Sequence, residues 1–128
     1  MWILLINTSG SESYISLFQD ELLISEERSS VRDQSSFLLP AIDSLLNSSH
    51  LTIEKIAFIG ICTGPGSFTG TRIGVMTAKT LSYALFIPLI SFSSDAPPSL
   101  GNLISRFLAK DFADPKALDT TYSCKNNI

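Results

Sequence analysis

The sequence predicts an α/β lobe in which helices pack on a mixed sheet, and three observations carry that prediction. Residues 2–6 and 56–63 form short, almost uninterrupted apolar runs, as expected of central strands covered on both faces. Residues 34–47 and 70–85 change to the three-to-four-residue apolar spacing of helices. The elements are also ordered unevenly: three strands meander first, and helix and strand then alternate.

Taken along the chain, Trp2 to Ile6 gives the first strand, and the text NTSGSES after it is turn chemistry. Tyr14 to Phe18 alternates around Ser16, Gln19-Asp20-Glu21 turns the chain, and Leu22-Leu23-Ile24 returns, which makes an antiparallel meander. Leu38, Ile42, Leu45 and Leu46 then fall on one side of a helix that Asp33 or Ser35 can cap. Pro40 has no amide hydrogen to give, so the helix proper is expected to begin only near Leu38 or Leu39. The second buried strand follows at 56–63, the second helix at 70–85 and a last strand at 89–92, after Pro88. The order βββαβαβ is that of a ribonuclease H-like lobe, and a short final helix is expected at 100–108. Residues 1–95 are read as this lobe. Residues 96–128 are read as that helix and a flexible tail, the remnant of a second lobe, because the text beyond Phe107 turns polar and aperiodic.

Composition narrows the function classes. With 128 residues, 45% hydrophobic and 16% charged, the chain can fill one core and not two ordinary ones. A net charge of −3 offers no basic stripe for nucleic acid. Cys62 and Cys124 lack metal-site or redox spacing and His50 stands alone, so no metal site is expected, and a reduced cytoplasmic setting is. No apolar run approaches the roughly 20 residues of a membrane span.

The most unusual stretch is GPGSFTGTRI at residues 64–73, set between a strand and a helix N-terminus. Such junctions present unpaired backbone N–H groups to ligands. It is not a Walker A loop, since five residues separate Gly64 from Gly70 and Thr71 stands where lysine is required. GxGxxG fails by one residue, and GxSxG fails because Pro65 and Thr69 flank Ser67 at the needed offsets. Two readings stay open at this point. The glycines serve a tight connection, or Gly64, Gly66, Ser67, Thr69, Gly70 and Arg72, with Thr8 and Ser9 of the first turn, contact an anion, a nucleotide or a subunit junction. Arg72 sharpens the question, because a cation in the first turn of a helix opposes the macrodipole and calls for a negative partner.

GPGSFTGTRIGVMTAKTLSYAL, with LLINTS at the start and SSFLLPAIDSLL between, resembles the TsaB (YeaZ) family over about residues 1–95. That family is related to the Gcp-like glycoprotease homologues and has the actin-like ATPase fold. The resemblance implies a partner subunit, without catalytic residues of its own, in making threonylcarbamoyladenosine in tRNA. TsaD is its implied partner, TsaE and a second copy of the chain are further ones, and tRNA enters only through the complex. The competing classes are a nucleotide- or anion-binding module and a peptidase-like enzyme. No cofactor of the chain's own is expected, and ADP or ATP would bind only at the interface with a partner.

The sequence departs from the family pattern in three places. Asn7-Thr8-Ser9 replaces the usual Asp-Thr-Ser, which removes a carboxylate suited to a nucleotide's metal. Gln34-Ser35 stands where His-Ser is frequent, and little chain follows Asp95 where a second lobe is usual. The implied docking surface is the pair of helices. Phe37, Leu38, Leu39, Ile42 and Leu45 make a wider apolar band than one sheet face needs, and on the second helix Gly74, Met76 and Ala78 are expected to admit an approaching helix.

Overall fold

The computed structural model describes residues 1–30 and 34–118. Strands β1 (Trp2–Asn7), β2 (Ser13–Gln19) and β3 (Leu22–Ser29) lead into helix α1 (Gln34–Ser48). A single 3₁₀ turn precedes β4 (Ile56–Cys62), followed by α2 (Phe68–Leu85), β5 (Leu89–Phe92) and α3 (Leu100–Leu108). The five strands stand in the order β3-β2-β1-β4-β5. β1 runs antiparallel to β2 and parallel to β4, so the sheet is mixed as the sequence predicts. Asp20 makes the β2–β3 hairpin tight by adopting a left-handed conformation, φ 53°, which aspartate tolerates better than most residues.

Alternation along the central strands divides the core into two layers. Leu4, Ile6, Ile59, Ile61 and Leu89 face α1 and α2, where Leu38, Ile42, Leu45, Val75 and Ala78 meet them. Ile3, Phe58 and Ile90 face the other way and are covered by Leu103 of α3. The Phe58 and Phe107 rings stack there, 4.9 Å between centroids. α3 therefore belongs to the lobe's own core. A continuous apolar run in β1 or β4 is what a strand buried on both faces requires.

The expected start of α1 is corrected: the helix begins at Gln34 and carries Pro40 inside it. Pro40 lies on the exposed face, so its ring intrudes on no packing while Leu38, Ala41, Ile42 and Leu45 hold the helix against the sheet. Burial of that face outweighs one missing amide donor. The capping expected of Asp33 or Ser35 and the polar contacts at Gln34 and Ser35 lie outside the described residues and side chains. β3 runs further than its apolar start suggests, to Ser29, through Glu26, Glu27 and Arg28. Burial of Glu26 is outweighed by the Ser16 hydroxyl (2.6 Å) and by Arg28 (2.6 Å), which together hold its carboxyl below the ordinary value. This contribution to stability is present above the ordinary carboxylate range and is lost as the pH falls through the lowered pKa.

Residues 109–118, read from sequence as the start of a flexible tail, return to the start of β5: the Ala113 amide donates to the Leu89 carbonyl at 2.7 Å, and Ala113 and Leu118 pack against the principal core. The remainder of the expected tail, 119–128, lies outside the described residues.

Candidate functional site

The glycine-rich loop joins β4 to α2 and closes over the end of β1. Ser67 is the N-cap of α2, its hydroxyl accepting from the Gly70 amide at 3.2 Å, while its own amide donates to the Ser9 carbonyl at 3.0 Å. The Thr8 hydroxyl donates to the Gly70 carbonyl at 2.5 Å. On the other side, the Ser94 amide donates to the Gly64 carbonyl at 2.9 Å and its hydroxyl to the Pro65 carbonyl at 2.6 Å. The loop is thus bonded to the first turn and to the chain after β5. Its glycines are explained by close approach: a Cβ on Gly66 would overlap the Ser9 backbone, and one on Gly74 would overlap the Thr8 hydroxyl. Gly64 has φ 97° and precedes a cis proline.

These contacts bear on a nucleotide's metal. Asn7 accepts from the Ser9 amide (3.0 Å) and hydroxyl (2.8 Å) and donates to the Tyr14 hydroxyl (3.1 Å), so its amide is engaged on both sides and carries no charge. Thr8 and Ser9 are buried within the clasp, whereas Ser67 and Thr69 are exposed. The end of β1 therefore does not fit a divalent cation held by a carboxylate. Among the described residues no group of three or more His, Cys, Asp or Glu side chains could hold a metal ion, and no helix is long and apolar enough to cross a membrane. Cys62 is a buried free thiol 3.4 Å from the Ser9 hydroxyl. His50 is exposed in the turn after α1.

The helices divide the residues expected on the docking surface. Leu38, Ile42, Leu45 and Ala78 are at most 4% exposed and fill the core, and Gly74 is buried over Thr8. The expectation that Gly74 and Ala78 admit another helix is corrected, because the space their small size creates is taken by the chain's own β1 turn and sheet. Phe37 is half-buried against the core. Leu39 and Met76, in contrast, are 57% and 56% exposed.

Two adjoining hollows follow the outer face of α2. One, about 330 Å³, is lined by Thr69, Arg72, Ile73, Met76 and Thr77. The next, about 290 Å³, joins Met76 and Thr77 to Thr80, Leu81 and Leu39 of α1. Arg72 is exposed at this rim and has a partner within the chain. The sequence missed Thr80 as part of this face, although the four-residue step from Met76 to Thr80 marks it.

A family model described as TsaD, tRNA N6-adenosine threonylcarbamoyltransferase, matches residues 27–95. The tRNA threonylcarbamoyladenosine biosynthesis protein TsaB of Bacillus subtilis (strain 168) is 39% identical over 95 residues, which are 73% of this chain and 42% of that protein. The chain belongs to the TsaB (YeaZ) family. Its Escherichia coli (strain K12) relative, with the same protein name, is 30% identical over 94 residues, 73% of this chain and 41% of the relative. The solved structure of YeaZ from Pseudomonas aeruginosa superposes with a TM-score of 0.67 at 26% identity, covering 72% of this chain and 43% of that one. The fold is accordingly that of the family's actin-like ATPase lobe. The chain spans less than half the length of these relatives.

Proposed function

We propose that the chain is a partner subunit, without catalytic residues of its own, in the biosynthesis of threonylcarbamoyladenosine in tRNA, and that it docks on a TsaD-type transferase through the outer face of α1 and α2. The observation that carries the reading is the pair Leu39 and Met76, large apolar side chains held in water on neighbouring helices and joined by a continuous hollow. Covering such a side chain is worth about 1.5–3 kcal/mol. The helices are rigid because their inner faces are core, so little ordering cost opposes docking. Thr77 and Thr80 donate their hydroxyls to the carbonyls of Ile73 and Met76 (both 2.8 Å), so they line the hollow without presenting an unpaired donor.

The acidic chain binds tRNA in this reading only through the complex. Adenine nucleotide would be shared with the partner, because the clasp at Asn7 supplies no metal-binding carboxylate. TsaE and a second copy of the chain are further partners in the same setting, a reduced cytoplasm.

Leu39→Asp and Met76→Asp should each leave circular dichroism and melting nearly unchanged and weaken co-purification with TsaD about tenfold or more. Wild-type binding by both folded variants would remove α1 and α2 as the docking face. Calorimetric titration of the isolated chain with ADP should give no binding heat, and saturable binding would favour the nucleotide module instead.

A further inference from the structure

The sheet has two edges, β3 and β5, and they are protected in different ways. An uncovered edge strand presents N–H and C=O groups that template pairing with another chain. β3 carries Glu26, Glu27 and Arg28, charges of the kind that discourage such pairing. β5 reads Leu-Ile-Ser-Phe and has no charge, proline or glycine. The carbonyls of Pro88 and Phe92 accept from Ile59 and Thr63 on the β4 side, at 2.9 and 3.0 Å. By the alternation of a strand, the Leu89 carbonyl points the other way, and there the Ala113 amide meets it at 2.7 Å.

We propose that residues 109–118 form a strap that guards the β5 edge against strand addition by a second copy of the chain. The strap is anchored at both ends. At its start the Asp111 amide donates to the Arg106 carbonyl (2.9 Å) and the Asp111 carboxylate pairs with the Arg106 guanidinium (3.2 Å). At its end the Lys79 ammonium of α2 donates to the Leu118 carbonyl at 2.9 Å. Between these points Ala113 and Leu118 pack on the core, and the Lys116 ammonium lies 5.2 Å from the centre of the Tyr83 ring. Covering Leu118 supplies the apolar part of the strap's hold, and the single ladder-like bond from Ala113 occupies the edge at Leu89, where the strand begins. The strap lies beyond the residues matched by the family model and does not depend on the docking face.

Amide hydrogen exchange on the full chain tests this. In the unmodified chain the Ala113 amide should exchange at least about tenfold more slowly than an unstructured peptide. Leu118→Asp should remove about tenfold of that protection or more while the β1 amides keep theirs. Light scattering should then show more concentration-dependent association than the unmodified chain. If Leu118→Asp does not fold, Lys79→Met, which removes only the ammonium donor, should show both changes in smaller measure. Unprotected exchange at Ala113 in the unmodified chain would overturn the proposal. So would a folded variant whose Ala113 exchange and association match those of the unmodified chain.

Discussion

Ile42→Asp and Leu45→Asp are expected to abolish the cooperative melting transition of the lobe. Both side chains lie in the layer between α1 and the sheet, 4% and 1% exposed, in the same apolar core cluster as Ile15, Leu17 and Ile59. An unpaired charge placed there costs about 3–5 kcal/mol, against a total stability of about 5–15 kcal/mol for an ordinary domain. Protonation of the new carboxyl relieves part of the cost without restoring the lost packing. Leu39→Asp on the same helix is the control, since its side chain already stands in water. Circular dichroism and thermal melting decide the matter. If either core variant melts within about 5 °C of the unmodified chain, the assignment of α1's inner and outer faces is wrong.

How far the sequence reveals this molecule depends on what each residue meets. Buried strands are legible because Leu4, Ile6, Ile59 and Ile61 need cover on one face and Ile3 and Phe58 on the other, which forces a continuous apolar run. Residues 100–108 are legible as a helix because Leu103 must reach the second layer while Ser99 supplies its cap, accepting from the Asn102 amide at 3.1 Å. The start of α1 is not legible, because a local rule about Pro40 competes with the burial of a whole helix face. The strap escapes sequence reading for a related reason. Its hold comes from single residues, Ala113 and Leu118, bonded to elements about 24 and 39 positions away, and no periodicity records such contacts.

The docking face shows the same division. Sequence identifies apolar residues on α1 and α2 but does not separate Leu38 from Leu39, one turned to the sheet and the other to water. Small residues are still harder to assign. Gly74 and Ala78 carry the spacing of a helix contact, and only the position of Thr8 against Gly74 and the burial of Ala78 in the core show that the contact is internal.

Gly74→Ala is therefore expected to destabilise the lobe, although glycine-to-alanine in a helix interior ordinarily stabilises by about 1 kcal/mol. The new methyl group would overlap the Thr8 hydroxyl, which cannot swing away without leaving the Gly70 carbonyl it bonds at 2.5 Å. Overpacking of this kind costs about 1–3 kcal/mol, so the net effect should be a loss. Thr8→Ala removes both the obstacle and the bond, and by itself should cost about 1 kcal/mol. The double variant should be more stable than the sum of the single changes predicts, by about 1 kcal/mol or more. Gly66→Ala should behave differently: its obstacle is the Ser9 backbone, whose carbonyl also holds the Ser67 amide, so no side-chain truncation relieves it. Denaturant unfolding of the four members of the Gly74 and Thr8 cycle gives the coupling directly. Additivity within about 0.5 kcal/mol would show that the two residues do not compete for the same space, and the clasp between the first turn and α2 would then lose its explanation for Gly74.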